Sequence, residues 1–382
     1  MNRSSVAISG AVAILFLSGG CGGCVTARYQ GSKSDHFDGM RFFNPDNAAE
    51  RTFAEFLKWQ FTRQTKDWPE DPSAYGKPLP PDAIVPASFD GARDFAKVTF
   101  INHATVLIES PGLNLLTDPV WSERVSPVSW AGPRRFRPAG IPFDGLPRID
   151  VVMISHNHYD HMDLPTISRL EASFKPLFLV ALGDRDLVRS AGVPADRIVE
   201  NDWWDRRLVQ VRGPGDPVEV HFVPAQHWSS RTSFDRNLSL WGGFFIRWTR
   251  GSIYYSGDTG FGGHFKAIRE RIGSPDLAIL PIGAYEPRWF MREQHMNPDD
   301  AVKAHLELRA TASLGVHWGT FQLTDEGYED PVRELTTALK SRNVSADRFF
   351  VLREGASTGV MSRQSTHDAR AALGAGVGDP GP

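Results

Sequence analysis

Cysteine is scarce: of 382 residues only Cys21 and Cys24 carry a thiol, and both fall in the first two dozen positions. The body of the chain therefore holds neither a disulfide nor a thiolate metal ligand, and any metal site in it must be built from nitrogen and oxygen. Positive charge is not in excess either. The 42 lysines and arginines stand against 45 aspartates and glutamates, for a net charge of -3 and a pI near 6.5. A nucleic-acid binder needs a basic face to displace phosphate counterions, so that class is excluded. Long apolar runs are lacking too, since the stretch at 6–17 is too short to span a bilayer stably. There is no repeat at a solenoid or propeller period, and no P-loop-type phosphate cradle.

The chain does have enough apolar content for a full core, with 41% hydrophobic and 11% aromatic residues. Its densest chemistry is Ser155-His156-Asn157-His158-Tyr159-Asp160-His161-Met162-Asp163, directly after the apolar run Val151-Val152-Met153-Ile154. Histidines and carboxylates gathered where a buried strand ends read as a metal site. Neutral imidazole nitrogen and carboxylate oxygen are the usual ligands of zinc and other divalent first-row metals. The set His156, His158, Asp160 and His161 exceeds what one tetrahedral site takes locally, so the spacing predicts two metals. His156 and His158 alternate and can point the same way in an extended loop. Asp160 and His161 turn toward a second position at the start of the next helix.

This motif resembles the H-x-H-x-D-H signature of the metallo-β-lactamase fold. The resemblance places the remaining ligands at the ends of later strands, at His227, Asp258 and His317. Further stretches are similar to one branch of that fold, the N-acylphosphatidylethanolamine-hydrolysing phospholipase D family. They are Leu116-Thr117-Asp118-Pro119, Gly132-Pro133-Arg134-Arg135-Phe136, Gln226-His227-Trp228, Gly257-Asp258-Thr259-Gly260, the run 281–291 and His317-Trp318-Gly319-Thr320-Phe321. The similarity covers residues 95–355, and the run 281–291 is far more specific than the metal motif.

The resemblance implies an αββα sandwich with His156, His158 and His227 on one Zn2+, Asp160, His161 and His317 on another, and Asp258 bridging them. Other divalent first-row metals suit the same ligands. Asp160, Asp258 and His295 are then the catalytic candidates, and Tyr159, Gln294, His295 and Trp289 the substrate contacts. Asp118 accepts from a ligand imidazole, with a turn-forming Asp-Pro as the alternative. The implied activity is hydrolysis of N-acylphosphatidylethanolamine, or a related phospholipid, to N-acylethanolamine and phosphatidic acid by a metal-bridging hydroxide. It implies a phospholipid partner at a membrane surface, and a homodimer. The alternatives are a hydrolase of a lactone or another phosphodiester on the same ligands, and a non-catalytic lipid-binding lipoprotein. Arg134, Arg135 and Arg137 are candidate headgroup contacts. Trp203, Trp204, Trp228, Phe290 and Met291 serve either packing or an acyl chain.

Along the chain, residues 1–24 read as a secretory signal: Arg3, the apolar stretch, then small residues. Leu17-Ser18-Gly19-Gly20-Cys21 is similar to a bacterial lipoprotein signal, although leucine stands four places before the cysteine instead of three. That predicts export to the periplasm with acylation of Cys21 as a membrane anchor, against plain secretion in soluble form. Residues 25–47 are polar and aperiodic, which predicts a tether. The hydrolase domain follows over 48–362, and 363–382, rich in alanine, glycine and proline, are expected to be disordered. Within the domain the patterns predict helices over 48–62, 163–174 with Asp163 as its cap, 184–190, 264–271, 297–308 and 331–341. Strands are expected over 98–101, 105–109, 114–117, 177–182, 218–226, 277–282 and 349–352, with a hairpin over 243–257.

Overall fold

The computed structural model describes residues 28–45, 51–69, 90 and 93–362. The predicted signal at 1–24 and the predicted tail at 363–382 lie outside them. In chain order the elements are α1 (Phe53–Thr62), β1 (Asp94–Asn102), β2 (Thr105–Ser110), β3 (Leu113–Thr117), β4 (Val151–Met153), α2 (Leu164–Phe174), β5 (Leu177–Ala181), α3 (Arg185–Ser190), β6 (Ile198–Asn201), β7 (Arg206–Val209) and β8 (Val218–Val223). They continue with β9 (Gly243–Trp248), β10 (Gly251–Tyr255), α4 (His264–Arg271), β11 (Leu277–Pro281), α5 (Arg288–Met291), α6 (Pro298–Leu308), β12 (Ala312–Val316), α7 (Asp330–Ser341), β13 (Phe349–Val351) and β14 (Ser357–Met361).

Two seven-stranded sheets result, ordered β14-β1-β2-β3-β4-β5-β6 and β13-β12-β11-β10-β9-β8-β7. Each is antiparallel in one half and parallel in the other: β3 to β6 run parallel, as do β10 to β13. The parallel strands are short apolar runs such as Leu-Phe-Leu-Val-Ala in β5 and Leu-Ala-Ile-Leu-Pro in β11, because they are covered on both faces. One apolar core lies between the sheets, with Phe100, Met153, Phe222, Trp241, Ile253 and Leu314 among its members. A second lies under α4, α6 and α7, and a third under α2 and α3. This is the αββα sandwich that the resemblance implied.

Two expectations need correction. Residues 28–45, expected as part of a tether, pack onto the body. Phe37 and Phe42 are each 1% exposed and join the inter-sheet core. Burying two phenylalanines contributes about 1.5–3 kcal/mol apiece, which holds a segment that has almost no regular structure of its own. Asp163, expected to cap α2, makes no side-chain cap bond. Its carboxylate instead accepts from Trp121 N, Ser122 N and Ser122 Oγ at 2.7–3.2 Å, tying the loop after β3 to the start of the helix. Asn297 does cap α6, accepting from Asp300 N at 2.9 Å.

Candidate metal centre

Ligand-bearing loops leave the strands at one end of the sandwich. β3 leads to Asp118, β4 to the run from His156 to His161, β8 to His227, β10 to Asp258 and β12 to His317. Asp118 and His317 have φ of 31° and 64°, in the left-handed region that non-glycine residues seldom adopt. The strain falls where the chain turns sharply off a strand to aim a side chain inward.

Two groups of donor atoms converge. In the first, His156 Nε2 lies 2.8 Å and His227 Nε2 3.2 Å from His158 Nδ1. In the second, His161 Nε2 is 3.2 Å from His317 Nε2, and both are 3.1 Å from Asp258 Oδ2 and 3.4 Å from Asp160 Oδ2. The edge of a tetrahedron of nitrogen and oxygen donors about 2.0–2.1 Å from a metal is ~3.3 Å, so these separations suit a shared ion. Asp258 links the groups, since its Oδ2 is also 3.9 Å from His227 Nε2. Its other oxygen is buried and has no hydrogen-bond partner.

The surroundings set the tautomers. His161 Nδ1 donates to Asp118 Oδ2 at 2.6 Å. His227 Nδ1 donates to the Gln294 carbonyl at 2.9 Å. His156 Nδ1 sits 2.9 Å from Ser155 Oγ, whose own proton goes to Asp118 at 2.6 Å. In each case the outer nitrogen holds the proton and Nε2 turns a lone pair inward. Asp118, fully buried, also accepts from Ser155 N at 2.7 Å and from the Tyr255 hydroxyl.

Electrostatics divide along the same line. Burial pushes His156 and His227 well below the ordinary imidazole range and His158 down to about 3, which keeps them as neutral ligands. For His161 and His317 burial also opposes protonation, but neighbouring Asp258 and Asp160 outweigh it. His161 is driven well above its usual value and His317 up to about 9. Asp160 and Asp258 are held ionised by those histidines against the cost of burial. This half of the site is a field that attracts positive charge, and a divalent cation answers it as a proton does.

Among the other candidates, His295 lies at the centre, its buried Nδ1 unpartnered and 3.8 Å from Asp258 Oδ2. Gln294 is buried and contributes its carbonyl to His227. Tyr159 spends its hydroxyl on the Arg231 carbonyl at 3.0 Å, with the Arg231 guanidinium 3.9 Å over its ring. Trp289 stands at the surface beside Lys58, while Phe290 and Met291 pack on Trp59. Trp203 is buried and bonds Trp241 O, and Trp228 packs 4.3 Å from the His158 ring. The arginines offered as headgroup contacts are engaged within the protein. Arg134 pairs with Glu123, Arg135 donates to the carbonyls of Ser122 and Val120, and Arg137 pairs with Glu354.

Sequence reasoning missed His103. It is buried at the end of β1, with Nε2 3.0 Å from Asp160 Oδ2 and its ring 4.0 Å from that of His317. Its carbonyl accepts from His317 N at 2.7 Å. The available signal was a lone histidine after an apolar strand, the same signal that marks His317. A second pattern proves empty: Gly355-Ala356-Ser357-Thr358-Gly359 matches G-x-S-x-G, but Ser357 sits in the edge strand β14, where its hydroxyl meets that of Thr99 at 2.8 Å. It lies on no strand-to-helix elbow that could make it a nucleophile.

A sandwich of two mixed sheets carrying histidine and aspartate clusters at its strand ends defines a class, the metal-dependent hydrolases of the metallo-β-lactamase fold. Sequence comparison places the chain within it. The chain belongs to the β-lactamase superfamily, whose domain model (Beta-lactamase superfamily domain) matches residues 113–318. It is 38% identical over 282 residues to N-acyl-phosphatidylethanolamine-hydrolyzing phospholipase D 1 of Caenorhabditis elegans, covering 71% of this chain and 78% of that one. It is 35% identical over 227 residues to the mitochondrial N-acyl-phosphatidylethanolamine-hydrolyzing phospholipase D of Saccharomyces cerevisiae, covering 59% and 47%. Among solved structures, isothiocyanate hydrolase from Delia radicum gut bacteria shares the fold, with a TM-score of 0.55 at 19% identity over 70% of this chain and 99% of that one.

Proposed function

We propose that the protein is a dinuclear zinc phosphodiesterase of phospholipase D type, cleaving N-acylphosphatidylethanolamine or a related phospholipid to N-acylethanolamine and phosphatidic acid. The observation that carries this reading is the pairing of Asp258, shared by both ligand groups, with His295, an unpartnered imidazole facing the same oxygen. Bound metal ions supply water activated near neutral pH and draw charge from a phosphoryl oxygen.

The chain's own residues do the rest. Asp118, Ser155 and the Gln294 carbonyl fix the ring orientations of His161, His156 and His227. Burial pushes His295 down to about 4, so at neutral pH it is a neutral imidazole that can donate one N–H as a hydrogen bond to a phosphate oxygen, whereas protonating the leaving group would require its imidazolium form. A lipid substrate also fits the surface. Phe61, Trp130 and Phe234 are 86%, 76% and 63% exposed, and Phe261 and Trp289 are also exposed. Trp130, Phe234 and Phe261 lie on the loops that follow β3, β8 and β10, and Trp289 lies in α5 after β11; large exposed aromatics of this kind suit a membrane interface.

The test is product analysis after incubation with vesicles containing N-acylphosphatidylethanolamine, beside a lactone and a soluble phosphodiester, with and without chelator. Chelator-sensitive release of N-acylethanolamine and phosphatidic acid is expected, with about two equivalents of zinc in the untreated protein. Faster turnover of the lactone, or cleavage that survives metal removal, would sink the assignment.

A further inference from the structure

His227 is held by a segment that no motif points to. β8 ends at Val223 and Pro224 follows, so the peptide groups of His227 lie beyond the hydrogen-bond ladder of the sheet and need other partners. Asn44, on the arm 28–45, supplies both. Its Nδ2 donates to His227 O at 2.9 Å, and its Oδ1 accepts from His227 N at 3.3 Å. On the ring side Nδ1 is engaged by Gln294, which leaves Nε2 facing His158 and Asp258.

We propose that Asn44 is a positioning residue of the metal centre: through the main chain of His227 it holds that ring for the ion shared with His156 and His158. This rests on the metal-centre reading above. A carboxamide suits the task because it donates and accepts at once. A carboxylate there would keep the bond from His227 N but set two acceptors against each other at His227 O. Alanine would leave both peptide groups of His227 unsatisfied, while those of the preceding Gln226 keep their own partners, Thr259 Oγ1 for its N–H and Gly260 N for its carbonyl.

The arm does not depend on Asn44 for its place. Phe37 and Phe42 are buried, Arg28 pairs with Asp235 at 2.6 Å, Phe42 N donates to Asn237 O at 2.8 Å, and His36 Nε2 meets Asp202 Oδ1 at 2.7 Å. Removing the carboxamide therefore unfastens His227 while the arm stays docked.

The experiment titrates metal-free wild type, Asn44→Ala and Asn44→Asp with Zn2+ against a chromophoric chelator, without substrate. In both variants one of two equivalents should bind about 10–100-fold more weakly, the scale of losing a group that orients a ligand. The other equivalent and the melting midpoint of the metal-free protein should match wild type. Should Asn44→Ala fail to fold, Asn44→Asp, similar in size and still an acceptor, decides the matter. Unchanged binding of both equivalents overturns the role of Asn44, as does equal weakening of both with a lowered midpoint. A wild type that takes up no Zn2+ overturns the metal-centre reading itself, a separate result from variants that bind as wild type does.

Discussion

Single side chains do unequal work in this site, and substitution separates them. Asp258 serves both ligand groups, so Asp258→Asn should remove at least about 100-fold of turnover and lower metal content while leaving the far-UV circular dichroism unchanged. Retention of more than a tenth of wild-type rate would exclude it from the reaction. His295 sits within reach of His227 and Asp258, and in the proposed reading it meets the substrate phosphate and not a metal. His295→Ala should therefore keep the metals and lose about 10²–10³ in kcat, the scale of one transition-state donor or acid. If it protonates the leaving group, the loss shrinks for a substrate whose leaving group needs no proton. An unchanged kcat would make it a bystander. The dense motif and the strand-end ligands were legible because several metal-binding residues stand together or resemble a known pattern. His103 and Asn44 were not, since each is one polar residue in an unremarkable setting and gains meaning only from a partner far along the chain.

At the scale of elements, legibility followed length and burial. α4, α6 and the apolar strands β5 and β11 carry periodic or continuous apolar patterns and were found close to their true bounds. β6, β7, β14 and the four-residue α5 escaped, because short edge strands such as Arg-Arg-Leu-Val in β7 bury little and alternate weakly. The arm 28–45 escaped for another reason. Phe37 and Phe42 stand apart among polar residues, and only tertiary contact reveals that they are core. The cap on α6 gives a prediction at this scale. Asn297→Ala removes the bond to Asp300 N and should cost about 1 kcal/mol, read as a fall of about 2 °C in the thermal midpoint with metal content unchanged. A midpoint equal to wild type would show that the capping bond contributes nothing to stability.

The whole molecule raises the question of where it works. From the sequence signal we propose that the mature chain is exported and begins at an acylated Cys21, and mass spectrometry of the native N-terminus checks this. A free N-terminus at a later residue, or an unprocessed Met1, would exclude the anchor, whereas Cys21→Ser should otherwise release the protein from membranes. A second consequence lies in how the ligands are shared out. His156, His158, Asp160 and His161 come from the first sheet, and His227, Asp258 and His317 from the second. An ion bound here is a rivet driven through both plates of the sandwich. A ligand present at 1,000 times its Kd adds about 4 kcal/mol to stability, so stripping the metal should lower the melting midpoint of the entire body in one transition. Melting unaffected by chelator would contradict this. Such an ion would also act as an inspection step: a chain that has built one plate badly would not close the full ligand set, so a loaded centre would certify that both halves have met.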